Sequence, residues 1–133
     1  MLKEKSFQKV KKYLLELNYN IVFENENDGV FIISDEENGI LNLILGCADP
    51  LLIIEQFLFS IKSDNMEIFK SLLIKNRDII HGALVLDENG TKVIFRDTLQ
   101  IENLDLNELE SSINSLILLL SEYTNEILKF SKM

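Results

Sequence analysis

His81 is the only histidine and Cys47 the only cysteine in the chain. Brought together, they would form a nucleophilic dyad, in which the imidazole takes the thiol proton and a thiolate attacks. That chemistry also needs a group to orient the base and donors to receive an oxyanion, and no motif near either residue supplies them. Cys47 therefore reads as a small apolar residue at a strand end, and His81, just before Gly82, as a turn or capping residue. A zinc site would need more histidines or cysteines than the chain has. The acids around Asn27-Asp28-Gly29 and Glu37-Asn38-Gly39 lack the spacing of a calcium loop, and the glycines fall at turns rather than in a phosphate-cradling motif. No cofactor, metal or catalytic residue is expected.

Carboxylates remain. The chain has 22 Asp and Glu against 13 Lys and Arg, so a carboxylate acid–base pair is the one form of catalysis that composition permits. Arg96-Asp97, set in an apolar segment, is the expected buried charge pair, with Glu55 as a further partner for Arg96. Such a cluster would lock the fold, or with His81 would line a small-molecule pocket.

A net charge of −9 disfavours nucleic acid and anionic membrane as partners and favours a basic or neutral ligand or another protein. One cysteine allows no internal disulfide, which suits a reducing cytoplasm. The N-terminal segment lacks the apolar core of a signal peptide, and no run reaches the ~18 apolar residues of a membrane span. Lysines at 3, 5, 9, 11 and 12 give way to a stretch from Tyr13 to Ile61 without Lys or Arg. That stretch could complement the basic helix internally or offer an acidic surface.

These side chains must be positioned by a single domain spanning residues 1–133. Phe7, Val10, Leu14 and Leu17 predict an amphipathic helix over 3–17, with lysines on its solvated side. Short β-rich runs at 20–23, 30–33 and 40–45 are separated by Asn/Asp-Gly turns and predict antiparallel hairpins. A third such turn at Glu88-Asn89-Gly90 joins strands at 83–86 and 92–95, the latter running on toward Gln100. Asp64-x-x-Glu67 predicts the start of a second helix with Met66, Phe69, Leu72 and Leu73 inward. Asp105-x-x-Glu108 or Asn107-x-x-Glu110 opens a long final helix to about Phe130. Leu109, Ile113, Leu116, Leu120, Tyr123 and Ile127 make its core stripe, leaving Leu118 and Leu119 outside.

The organising segment is Asp49 to Ile61. Asp49-Pro50 could open a helix, but the isoleucines and phenylalanines that follow favour a strand. With period two, Leu51, Ile53, Phe57, Phe59 and Ile61 share one face with Glu55, and Leu52, Ile54 and Leu58 share the other with Gln56. Both faces need cover, as in a central strand. The expected partner or dimer surface is Leu52, Ile54 and Leu58 together with Leu118 and Leu119.

The chain resembles the YbjN-like proteins and the Tir-chaperone (CesT-type) homologues. The likeness lies in Gly39-Ile40-Leu41-Asn42-Leu43, in Cys47-Ala48-Asp49-Pro50-Leu51-Leu52-Ile53-Ile54-Glu55-Gln56 and in Asn76-Arg77-Asp78-Ile79-Ile80-His81-Gly82-Ala83. It continues through Phe95-Arg96-Asp97-Thr98-Leu99 and Glu102-Asn103-Leu104. It implies a type III secretion chaperone-like α+β fold: a twisted antiparallel sheet of five to six strands packed with three helices, ordered α-β-β-β-β-α-β-β-α. It also implies a strand at Leu51 to Ile61. Chaperones of this fold are commonly dimers that hold effector segments on hydrophobic patches, and the wider group is linked to stress and motility regulation. The expected function is a non-enzymatic, cytoplasmic, chaperone- or adaptor-like protein that binds a polypeptide client or a second copy. The alternatives are a regulator of one folded partner and a carboxylate-based small-molecule binder.

Overall fold

The computed structural model describes residues 2–133, with side chains from residue 4 onward; Lys3 of the basic helix lies outside the described side chains. Helix α1 (Leu2–Glu16) leads into strands β1 (Asn20–Asn25), β2 (Val30–Asp35), β3 (Ile40–Ala48) and β4 (Leu51–Ser60). Helix α2 (Met66–Lys75), strands β5 (Ala83–Leu86) and β6 (Lys92–Gln100), and helix α3 (Leu106–Lys132) complete the chain. The six strands form one antiparallel sheet in the order β1-β2-β3-β4-β6-β5. The expected fold class and element order are those observed, with the central segment a ten-residue strand. Among the described residues no helix is long and apolar enough to cross a membrane.

Turn chemistry sets the hairpins. Gly29, Gly39 and Gly90 all take positive φ at the expected turns. Gly29 also has no room for a side chain, because a Cβ would lie 2.9 Å from the Cys47 carbonyl oxygen.

Helix ends follow local capping, with one correction. Asn65, not Asp64, caps α2: its side-chain oxygen accepts from the Glu67 and Ile68 amides. The buried stripe of α2 is Ile68 and Leu72 with Phe69 packed beside them, while Met66 and Leu73 point outward. Asp105 caps α3 as expected, accepting from the Glu108 amide at 2.7 Å.

One core holds the three helices to the sheet. Phe7, Val10 and Leu14 of α1, Ile68 and Leu72 of α2, and Leu109, Ile113, Leu116, Leu119 and Phe130 of α3 all join it. From the sheet it takes one alternation, Phe31 and Ile33, Leu43 and Leu45, Leu52 and Ile54, Val93 and Phe95, with Leu84, joined by Ile40 and Phe59 where the register is irregular. Phe7 stacks on Phe31 with centroids 4.2 Å apart, seating α1 on β2. Lys9 donates to the Ile101 carbonyl and Tyr13 to the Leu104 carbonyl, tying α1 to the loop before α3. Lys11 pairs with Glu24 at 3.0 Å, so part of the lysine face is matched within the chain.

Candidate functional site

Because every helix packs on one side, the alternate strand residues form a second, uncovered face. Cross-strand neighbours point to the same side of a sheet. The register therefore lays a single row across all six strands: Phe23, Ile32, Ile44, Glu55, Arg96 and Ala83. A second row runs Phe57, Ile94, Val85, and Ile53 flanks the first. Six strands at ~4.8 Å spacing make the first row roughly 24 Å wide. Phe23, Ile44 and Phe57 are about half exposed, at 49%, 45% and 53%. The apolar part of the face is Phe23, Ile32 and Ile44 on the first three strands, with Ile53, Phe57 and Ile94 beside it, and this grouping is the candidate site on the sheet.

Near the middle of this face Arg96 Nη1 lies 3.2 Å from Glu55 Oε1, both side chains part-exposed. The expected link between Glu55 and Arg96 is present, but on the open side rather than buried. Asp97 does not join it. Adjacent strand residues point to opposite faces, and Asp97 turns to the helices, where it accepts from Ser112 Oγ at 2.7 Å. The buried charge pair predicted for Arg96-Asp97 is thus two separate interactions.

The predicted partner surface is corrected in the same way. Leu52 and Ile54 are fully buried under the helices, so the open face of β4 is the one bearing Leu51, Ile53, Glu55 and Phe57. Gln56 is the polar residue on the closed side, and both ends of its amide are used. It accepts from the Leu41 amide at 3.1 Å and donates to the Gly39 carbonyl at 3.0 Å. A bulge between Phe57 and Phe59 changes the alternation: Phe57 stays open opposite Ile94 while Phe59 enters the core opposite Val93. Leu58, at the bulge, is half-buried against the core.

On α3, Leu119 is 3% exposed and belongs to the core, whereas Leu118 is 51% exposed. Leu118 lines a groove of about 240 Å³ between α3 and the 78–81 segment, shared with Ile79, Ile80 and Tyr123. His81 lies on this segment and holds it by backbone, its N–H donating to Ser115 Oγ and its carbonyl accepting from the same hydroxyl. Asn76 similarly braces the sheet edge, its amide accepting from Leu84 N–H and donating to Leu84 C=O. Neither clamp carries a sequence motif; each is created by tertiary proximity.

Cys47 sits on β3 opposite Leu52, separated from β5 and the neighbouring His81 by two intervening strands. That is roughly 14 Å at ordinary strand spacing, so the dyad does not form. Burial, and then the nearby Asp49 carboxylate, push the Cys47 thiol up to about 11, which keeps it protonated and unreactive. Among the described residues no group of three or more His, Cys, Asp or Glu could hold a metal ion. Glu55 and Arg96, Asp97, and His81 lie on the open face, the helix face and the α3 groove respectively, so they do not converge on one pocket.

The same architecture occurs in solved structures at low identity. YbjN from E. coli, described as a putative transcription regulator, matches with a TM-score of 0.70 at 14% identity, over 90% of this chain and 92% of that one. A chain of the HopA1–SchA chaperone–effector complex matches with a TM-score of 0.64 at 13% identity, over 100% and 98%. The structure of the Yersinia pestis type III secretion chaperone SycH with a fragment of YscM2 gives a TM-score of 0.60 at 16% identity, over 95% and 99%. No curated protein matches the chain. The family model CesT_Tir_1 matches residues 3–133, and the chain belongs to that family.

Proposed function

We propose that this chain is a non-enzymatic, cytoplasmic protein, acting as one domain, that holds another polypeptide on the open face of its sheet in chaperone or adaptor fashion. The observation that carries the reading is the apolar row Phe23, Ile32, Ile44 with Ile53, Phe57 and Ile94 on a face that no helix covers. Burying those side chains against a client removes apolar area from water at roughly 25 cal/mol per Å² before ordering costs. Two of the similar solved structures are complexes of a chaperone with a second polypeptide, which supports the same reading.

The test is a holding assay with reduced, carboxymethylated lactalbumin as the unfolded probe, using the protein and an Ile44→Asp/Phe57→Asp variant. Both positions are part-exposed, and melting curves of the two proteins check that the variant is folded at the assay temperature. The parent is expected to bind the probe and the variant to lose that binding. Equal binding by the two proteins would remove the sheet face from the function.

A second reading, a homodimer through the same face, is favoured by one observation. Glu55 and Arg96 place one charge of each sign side by side near the middle of the face, so a two-fold axis between them would set each Arg96 against the other copy's Glu55. Sedimentation should then show self-association that Glu55→Arg abolishes and Glu55→Arg/Arg96→Glu restores. A monomer at all concentrations would leave the client reading alone.

A further inference from the structure

The α3 groove lies on the helix side of the molecule, away from the open sheet face, and it differs in character. Its floor is apolar, from Leu118, Leu119 and Tyr123, and Ile79 and Ile80 form its wall. Ile80 is among the most exposed large apolar residues of the chain, although it follows directly on half-buried Ile79. The carboxylates in the lining are Asp78 and Glu122, no lysine or arginine lines it, and His81 and Tyr123 are its other titratable groups; the nearby Lys75 ammonium, 4.9 Å from the Tyr123 ring centroid, is paired with Glu126. Arg77 precedes Asp78 in sequence but is not part of the lining.

The groove is also preformed. Ser115 Oγ engages both backbone groups of His81, fixing the wall to α3. Gly82 takes φ +82° directly behind the wall, and a Cβ there would lie 2.5 Å from Phe95 Cζ, so the chain turns tightly onto the core at that point. A rigid wall needs little ordering when a ligand arrives, which favours binding.

We propose that this groove docks a short polypeptide segment that inserts one or two large apolar side chains and carries lysine or arginine on their flanks. The apolar floor selects the anchor residues. The two carboxylates, without a cation in the lining to neutralise them, select the basic flank and repel an acidic one. A second copy of this chain is the weaker occupant, because its net charge of −9 opposes approach to a carboxylate rim.

Two fluorescent twelve-residue peptides, alike in a central Leu-Phe-Leu and flanked by lysines in one and glutamates in the other, provide the probes. In anisotropy titrations at 50 mM salt the lysine-flanked peptide should bind at least about fivefold more tightly, a ratio expected for two exposed charges. The preference should shrink toward unity at 500 mM salt. Asp78→Asn/Glu122→Gln should erase the preference without lowering the melting temperature, and Leu118→Asp should weaken both peptides. Ile44→Asp/Phe57→Asp should leave this binding unchanged, which separates the groove from the sheet face. Equal binding of the two peptides, no binding of either, or loss of binding only in the sheet-face variant would overturn the proposal. So would self-association that Leu118→Asp disrupts, because a second copy would then fill the groove.

Discussion

Glu55 on β4 and Arg96 on β6 are register partners that meet at 3.2 Å on the one sheet face without helices. A carboxylate in a strand this apolar invites the inference of a buried ion pair, but the partial exposure of both groups places it where water still solvates them. Exposed pairs of this kind contribute ~0–1 kcal/mol. Glu55→Leu should therefore change unfolding free energy by less than about 1 kcal/mol in urea titrations. The same substitution extends the apolar row from Ile44 across β4 and should raise probe binding, measured by anisotropy. A loss of several kcal/mol would instead mean that Glu55 is part of a closed interior.

Its neighbour Gln56 behaves oppositely. The amide is almost wholly buried and closes the start of β3 by accepting from Leu41 and donating to Gly39. Gln56→Leu would keep most of the volume but leave one backbone donor and one acceptor without partners. Each unmet buried group costs about 1–3 kcal/mol, so a loss of roughly 2–6 kcal/mol is expected in urea unfolding. The contrast between positions 55 and 56 is a direct readout of which side of the sheet is closed.

Leu118 and Leu119 provide the helical version of that contrast. Leu119 is in the core and Leu118 faces the groove. Leu119→Ala should cost about 2–5 kcal/mol through lost burial and a residual cavity, while Leu118→Ala should stay within about 1 kcal/mol. Thermal and urea unfolding of the two variants measure the difference. Equal effects would mean that α3 is rotated relative to the sheet.

Much of this architecture is legible from local pattern. The Asn/Asp-Gly turns placed three of the four hairpins, Asp105 announced α3, and the isoleucine-rich run after Pro50 declared a central strand. The open side of that strand was not legible, because both alternations are apolar and periodicity cannot say which one the helices cover. Gln56 and Glu55 differ in local sequence only by one carboxylate against one amide; their environments are set by Gly39, Leu41 and Arg96, distant in the chain. The bulge that sends Phe59 inward and leaves Phe57 outside breaks the strict alternation without any glycine or proline to signal it. The 27-residue helix α3 is apolar on several sides because it serves both core and groove, so a single six-residue stripe could not separate Leu119 from Leu118.

Cys47 tests the closed side by chemistry. Its thiol is held up at about 11 by burial first and by the Asp49 carboxylate second, against an ordinary value of 9.0. The folded state therefore keeps the proton that an unfolded chain would release as pH rises past 9. The stabilisation this gives is complete below that pH, and it is lost as pH climbs through the folded value. Alkylation follows the thiolate fraction. In native protein the iodoacetamide rate should stay low from pH 7 to 9 and rise steeply only toward 11, while in 8 M urea the inflection should fall near 9. Mass spectrometry of quenched time points follows the single adduct, since the chain has one cysteine. Rapid labelling of the folded protein at pH 8 would place the thiol in solvent, and with it the end of β3 that the Gly29 turn covers.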